Sequence, residues 1–310
     1  MAIVQTDVPM TAALCQQTIR ALAAAYPFFR VELLTTTAYG RPVLALVIGE
    51  GERRVLYTAA HHANEWITAP VLLKFAEELA QSLQSGGRLY GVKAQNIVKA
   101  ATIHLVPMVD PDGVDLVTGA IETGTLEYEA ARRIGDNYPD IPFPNGWKAN
   151  LLGVDLNLQY PVGWLKAREI KFGQGFTRPA PRDYVGRAPL TQRETIALAQ
   201  YTEAVDPDLV LAYHTQGKQI FWQFQDYQVP GAQALGEEFA RVSGYTLEDV
   251  PYESSFAGYK DWFIQTFRRP GYTIEAGQGR NPLPIEQFDE IYWDNLGILV
   301  TAATGLPGGA

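Results

Sequence analysis

The sequence predicts an α/β fold: three layers, α/β/α, with a mostly parallel, mixed sheet between helices. Two observations lead there. Short apolar runs alternate with longer amphipathic segments, the pattern of strands joined by crossover helices. Strand-like runs such as PVLALVIG, RRVLYTAA and DLVLAYH thus alternate with helices, which favours a mostly parallel sheet covered on both faces. The chain has 310 residues, 47% of them hydrophobic and 19% charged, enough to bury a large core. A single catalytic domain spanning 1–310 is expected, because no repeat or interdomain linker interrupts the pattern.

The elements read in order. Thr11–Ala25 is an amphipathic helix, followed by the strand runs RVELLTTTA, PVLALVIG and RRVLYTAA, with GEGE between the last two as a hairpin turn. Thr68–Gln84 is a long helix and ATIHLVPMV a strand. Residues Val109 to Gly153, rich in Asp, Pro, Gly and Asn, carry no period and read as a long ordered loop region of the kind that often bears a site. Beyond it come helix Thr191–Ala204, strand DLVLAYH, helices Gly231–Val242 and Gly258–Phe267, strand GYTIEA and a closing helix Pro284–Thr304.

Composition excludes several functions. The formal charge is −9 with basic residues scattered, which argues against nucleic acid as a partner. No apolar run reaches the roughly 20 residues of a membrane helix, and the N-terminus lacks a secretory pattern, so no membrane association and a cytoplasmic location are expected. The single cysteine, Cys15, offers neither a disulfide framework nor a thiolate metal site. Any metal must be held by histidine and carboxylate.

Four histidines exist: His61, His62, His104 and His214. His62 and Glu65 stand three apart after a strand, His214 ends another, and Glu275 lies in YTIEAG at the end of a third. Ligands of open α/β sheets bind at carboxyl ends of strands. Two histidines and a carboxylate are a catalytic ligand set for zinc that leaves the fourth position to water, and a further carboxylate can take that water's proton. His61 is the alternative to His62, although its neighbour three along is Asn64, a poorer partner than Glu65. His104, between Ile103 and Leu105, suits a hydrogen-bonded core position. Glu275 could instead be structural, paired with Arg268 or Arg280.

HHANEW, then AYH, then TIEAG resembles the zinc carboxypeptidases, and DPDG at Asp110–Gly113, GVDLN at Gly153–Asn157 and YVGRAPLTQRET at Tyr184–Thr195 fall in the family's order. The resemblance implies one Zn²⁺ per chain on His62, Glu65 and His214, with Asp155 orienting His62 and Glu275 as general base and then acid. It also implies that Lys148 of WKAN stabilises the oxyanion where the family has an arginine. Tyr252 resembles the family's mobile-loop tyrosine, with one residue more before Asp261 than is usual. Lys260, immediately before the Asp-Trp pair, occupies the place of the residue at the floor of the side-chain pocket.

The departures are informative. Where the family reads a terminal carboxylate with an Asn-Arg pair, this chain has Asn157-Leu158, and a leucine cannot grip a carboxylate bidentately. The cleft arginine inside the His-x-x-Glu turn is Asn64. HHANEWIT, WKAN with GVDLN, AGYKDWFI and IEAGQGRNPLP resemble one branch, the bacterial γ-D-glutamyl-diaminopimelate (γ-D-glutamyl-L-diamino acid) endopeptidases of peptidoglycan stem peptides. That branch implies a muropeptide or peptide substrate, and the lack of a secretory pattern or wall-binding module leads to the expectation that it is met inside the cell, in recycling or sporulation, rather than as intact wall. The rivals are a metallocarboxypeptidase releasing C-terminal amino acids, an acyl-amino-acid deacylase on the same fold, and a muropeptide-binding protein without catalysis.

Overall fold

The computed structural model describes residues 2–305. Helix α1 (Ala12–Ala25) is capped by Thr11, whose side chain accepts from the Leu14 N–H. Strands β1 (Arg30–Thr36), β2 (Pro42–Ile48) and β3 (Arg53–Ala59) follow, then helix α2 (Thr68–Ser85). A small hairpin of β4 (Arg88–Leu89) and β5 (Val92–Lys93) leads to α3 (Ala94–Ala100) and β6 (Ala101–Val106). Next come α4 (Pro111–Val117), α5 (Leu126–Gly135), α6 (Trp164–Gly173) and α7 (Arg193–Val205). The C-terminal part holds β7 (Leu209–His214), β8 (Gln219–Phe221), α8 (Ala232–Ser243), β9 (Thr246–Glu248), α9 (Tyr259–Phe267), β10 (Gly271–Glu275) and α10 (Phe288–Thr304).

The main sheet has the order β1-β2-β6-β3-β7-β10-β8-β9. Its centre, β6-β3-β7-β10, is parallel, while β2 and β8 join it antiparallel. Alternate residues of one strand face opposite layers: Val55 and Tyr57 of β3 pack with α1, α2, α3, α8 and α10, and Leu56 packs with α7 and α9. The expected three layers and mixed, mostly parallel sheet are present.

Two expectations are corrected. The GEGE segment is no hairpin turn, because β6 lies between β2 and β3 and pairs with both. Its glycines serve close packing instead: a Cβ on Gly51 would stand 2.3 Å from backbone atoms of Ala100 and Ala101, and Gly49 has φ +97 beside the Ala101 carbonyl. The region from Val109 to Gly153 is not loop alone, since it contains α4 and α5. Asp110 caps α4 by accepting from the Gly113 N–H at 3.0 Å, and Pro111 at its first position needs no donor. A Cβ on Gly113 would come within 2.8 Å of the Ala63 side chain and 2.5 Å of the Ala149 carbonyl oxygen. Glycine there lets α4 press against the turn that carries His62 and Glu65.

Behind that turn two carboxyls are buried near one another. Desolvation pushes Glu194 up to about 7, and desolvation followed by the nearby Glu194 holds Asp110 well above the usual range. A carboxyl whose folded pKa is raised binds more protons folded than unfolded, so stability falls as pH rises from about 4.5 to about 7. Glu194→Gln removes that titration. The variant is expected to be more stable than wild type at pH 8, by up to about 3 kcal/mol, and so to melt at a higher temperature, with the gap closing toward pH 4.5. Thermal melts at the two pH values check this; parallel curves for both proteins would contradict it.

Candidate active site

Parallel pairing sets the site. Glu275, last in β10, stands opposite His214, last in β7, and Ala59, last in β3, stands opposite Tyr213. Beyond Ala59 the chain turns through Ala60, at φ 48, and a short 3₁₀ turn over Ala63–Glu65 follows His62. The Thr68 hydroxyl donates to the Glu65 carbonyl at 2.8 Å and accepts from the Ala60 N–H at 3.0 Å, which locks the turn onto the start of α2.

His62, Glu65 and His214 each offer a ligand atom within 4.8 Å of the others. His62 Nδ1 is 3.0 Å from Glu65 Oε1, His214 Nδ1 is 2.8 Å from Glu65 Oε2, and the two Nδ1 atoms are 3.2 Å apart. Two imidazole nitrogens aimed at each other and at one carboxylate form a converging donor set, and its composition suits zinc. The fit extends outward: His62 Nε2 lies 3.3 Å from Asp155 Oδ1, the contact that fixes a ligating imidazole's tautomer. Asp155 is itself held by the Asn157 and Asp183 N–H groups, each at 3.1 Å.

His61 is not part of this set. It is fully buried, its ring stacked at 5.5 Å and 23° on His214 with Tyr259 also against it, and neither of its nitrogens has a partner. His104 bonds the Tyr201 hydroxyl at 2.7 Å on the far side of the sheet from α2, and burial pushes it down to about 4.

Electrostatics follow from the crowding. Burial works against a proton on His62, but Glu65 and Asp155 outweigh it and bring the ring up to about 9. Burial alone would raise Glu65, yet His62, Lys148 and His214 hold it well below the usual carboxylate range. A metal ion entering the triad must displace the His62 proton, so its binding weakens as pH falls. Desolvation, then the charge of Glu65, pushes Glu275 up to about 8. Positive charge at the triad acts with Lys148 in the opposite sense and favours the carboxylate.

Lys148 extends from a backbone clamped by Pro181 and Ala63, and its Nζ donates to Glu65 Oε1 at 2.8 Å. Two cavities meet here, sharing Lys148, Arg182, Phe221 and Glu275. The first is also lined by Asn64, whose Nδ2 donates to the Asn145 carbonyl at 3.1 Å. The second is lined by His62, His214, Asn157, Leu158 and Lys260. Asn157 Oδ1 accepts from the Tyr259 N–H at 3.0 Å, fastening the start of α9 to the 3₁₀ turn over Leu156–Leu158. Lys260 is 4% exposed, with Nζ 2.5 Å from Asp261 Oδ1 and 2.6 Å from the Gln223 carbonyl, so it does not reach solvent. Tyr252 is not brought in: it is 65% exposed and packs edge-on against Phe256, while its neighbours Pro251 and Ser254 line the second cavity. Glu275 has no arginine partner among the described residues, and Arg268 lies over the Tyr227 ring at 4.0 Å.

Sequence reading missed Arg182 and Asp261. Arg182 sits in a loop without period, where nothing separates a cleft residue from a solvated one. Asp261 adjoins Lys260 in sequence, and neighbouring helical residues do not ordinarily face each other.

Comparison with known proteins agrees with this geometry. The chain is 43% identical over 284 residues, 91% of its length and 69% of the relative's, to gamma-D-glutamyl-L-diamino acid endopeptidase 1 of Lysinibacillus sphaericus. It is 37% identical over 287 residues, 92% of this chain and 74% of the other, to the uncharacterized protein YqgT of Bacillus subtilis (strain 168). The structure of bovine thrombin-activatable fibrinolysis inhibitor superposes with a TM-score of 0.71 at 15% identity, covering 96% of this chain and 97% of that one, which shows a shared fold. The zinc carboxypeptidase family pattern matches residues 15–296. With that match and an intact His-Glu-His triad, the chain belongs to the zinc carboxypeptidase family and is a zinc metallopeptidase.

Proposed function

We propose that the protein hydrolyses the amide between γ-D-glutamate and a diamino acid, meso-diaminopimelate, in peptidoglycan stem peptides, using one zinc ion per chain. The single observation that carries this is the second cavity: where a terminal carboxylate would be gripped stands Leu158, and deeper in lies the buried Lys260–Asp261 pair. An adjacent cation and anion complement the far end of diaminopimelate, which bears a carboxylate beside an amine. The 43% identity to a gamma-D-glutamyl-L-diamino acid endopeptidase supports the same reading. Among the described residues no helix is long and apolar enough to cross a membrane, and the substrate is taken as a muropeptide fragment.

Zinc, held by His62, Glu65 and His214, supplies Lewis-acid polarisation and a lowered pKa for water. Glu275 takes the proton of the attacking water and returns it to the leaving amine. Lys148, the lysine in contact with the triad, faces the negative charge that develops on the carbonyl oxygen. Asp155 keeps His62 in the tautomer that presents Nδ1. Asn157 and Asn64 line the two cavities on either side of the reacting amide, and Tyr252 closes on the substrate only if its loop moves. The direct test is incubation of the zinc-loaded protein with L-Ala-γ-D-Glu-meso-diaminopimelate and identification of products by mass. Cleavage after glutamate is expected; release of C-terminal amino acids from simple peptides instead would favour a carboxypeptidase, and binding without turnover a muropeptide-binding protein.

Lys260 gives a sharper prediction. A charge-assisted contact of roughly 1.5–3 kcal/mol to the diaminopimelate carboxylate should be lost in Lys260→Met. The ratio of kcat/KM for the diaminopimelate substrate to that for its L-lysine counterpart should fall about 10- to 100-fold. An unchanged ratio would place the discrimination elsewhere in the cleft.

A further inference from the structure

We infer that the first cavity is the acyl-side subsite, in which Arg280 binds a free carboxylate carried on the acyl group a short aliphatic arm from the scissile carbonyl. This rests on the function proposed above and names what that reading leaves open, the recognition of the D-glutamyl half.

The two cavities share a seam at Lys148, Arg182, Phe221 and Glu275, so an amide held there extends one way into each. The second cavity contains the Lys260–Asp261 pair and suits the zwitterionic diamino acid. The acyl half is left with the first, a cavity of about 540 Å³. Lys148, Arg182 and Arg280 line it against the acids Asp140 and Glu275, a cationic excess in a chain of net charge −9. Such a wall selects an anion.

The three cations are not equivalent. Lys148 is engaged by Glu65 at 2.8 Å and Arg182 by Asp183 at 2.5 Å. Arg280 is exposed and has no ion-pair partner among the described residues. Its backbone is nevertheless fixed. The neighbouring Asn281 accepts from the Thr215 hydroxyl at 2.7 Å and donates to the Thr215 carbonyl at 3.0 Å, and the Gly217 N–H donates to the Gly277 carbonyl at 2.9 Å. The turn bearing Arg280 is thus tied to the segment that leaves His214. A planar guanidinium on an anchored turn is suited to a bidentate carboxylate. In a γ-linked glutamyl amide the free α-carboxylate is the group available to it.

The test compares two peptides, L-Ala-γ-D-Glu-meso-diaminopimelate and the same peptide with the glutamyl α-carboxylate converted to carboxamide, on wild type, Arg280→Gln and Arg280→Lys. Wild type should prefer the carboxylate peptide by about 10- to 100-fold in kcat/KM. Arg280→Gln should lose most of that preference by a rise in KM for the carboxylate peptide, with the carboxamide peptide cut at near wild-type efficiency, and Arg280→Lys should recover part of it. Retained turnover of the carboxamide peptide also shows that the variant is folded. Equal losses on both peptides, or an undiminished preference in Arg280→Gln, would overturn the assignment while leaving the proposed function standing. Failure of wild type to cut either peptide after glutamate would overturn both.

Discussion

Glu275→Gln is expected to retain stoichiometric zinc and wild-type substrate affinity while kcat falls about 10²–10⁴-fold or more, the usual cost of a lost general base. The separation of binding from chemistry follows from placement. Glu275 is opposite His214 in the sheet but outside the converging donor set of His62, Glu65 and His214. The change to an amide keeps its shape and removes its ability to accept a proton. Elemental analysis for zinc, a dissociation constant for substrate and the turnover number together decide it. Turnover like wild type would remove Glu275 from the mechanism, and loss of zinc would make it a ligand.

The second large effect belongs to His214. Its Nδ1 and the Glu65 carboxylate are 2.8 Å apart, and no other described histidine is placed to substitute for it: His62 is already in the set, His61 is stacked against the His214 ring, and His104 is bonded to Tyr201. His214→Ala should lose most bound zinc and nearly all activity while the chain stays folded, because the last residue of β7 contributes little to the apolar layers. Zinc content measured beside a circular dichroism spectrum checks both halves. Full metal retention would show that His214 is not a ligand.

Much of this was legible in the sequence because the chemistry sits where apolar strands end. With four histidines to sort, the ends of RRVLYTAA, DLVLAYH and GYTIEA brought His62, His214 and Glu275 to one edge before any distance was known. What failed was adjacency. PVLALVIG and RRVLYTAA are consecutive in the chain, yet β6 separates them, and local pattern carries no information about a strand inserted from residues some fifty positions later. Helix α4 was hidden for a different reason: it is only seven residues long, and its acids Asp112 and Asp115 are buried against Arg41 instead of marking a solvent face. Helix α5 did carry its signals, with Thr125 as cap, Glu127 and Glu129 in the first turn and Arg132 and Arg133 in the last, but in only ten residues. The Lys260–Asp261 pair depends on both side chains turning inward from one end of a short helix, which spacing alone does not foretell.

The parallel pairing that aligns His214 with Glu275 also governs how the molecule is made. His214 and Glu65 are 149 positions apart, and the strands before them meet only when β3 captures β7. Closing so long a loop is entropically costly and slow. The donor set is complete only once β3 and β7 are paired, so a zinc ion would find all three ligands together only after that part of the sheet has assembled. It stabilises the finished fold by mass action without guiding the route to it, and an ion encountered early finds only the local His62–Glu65 pair to hold it.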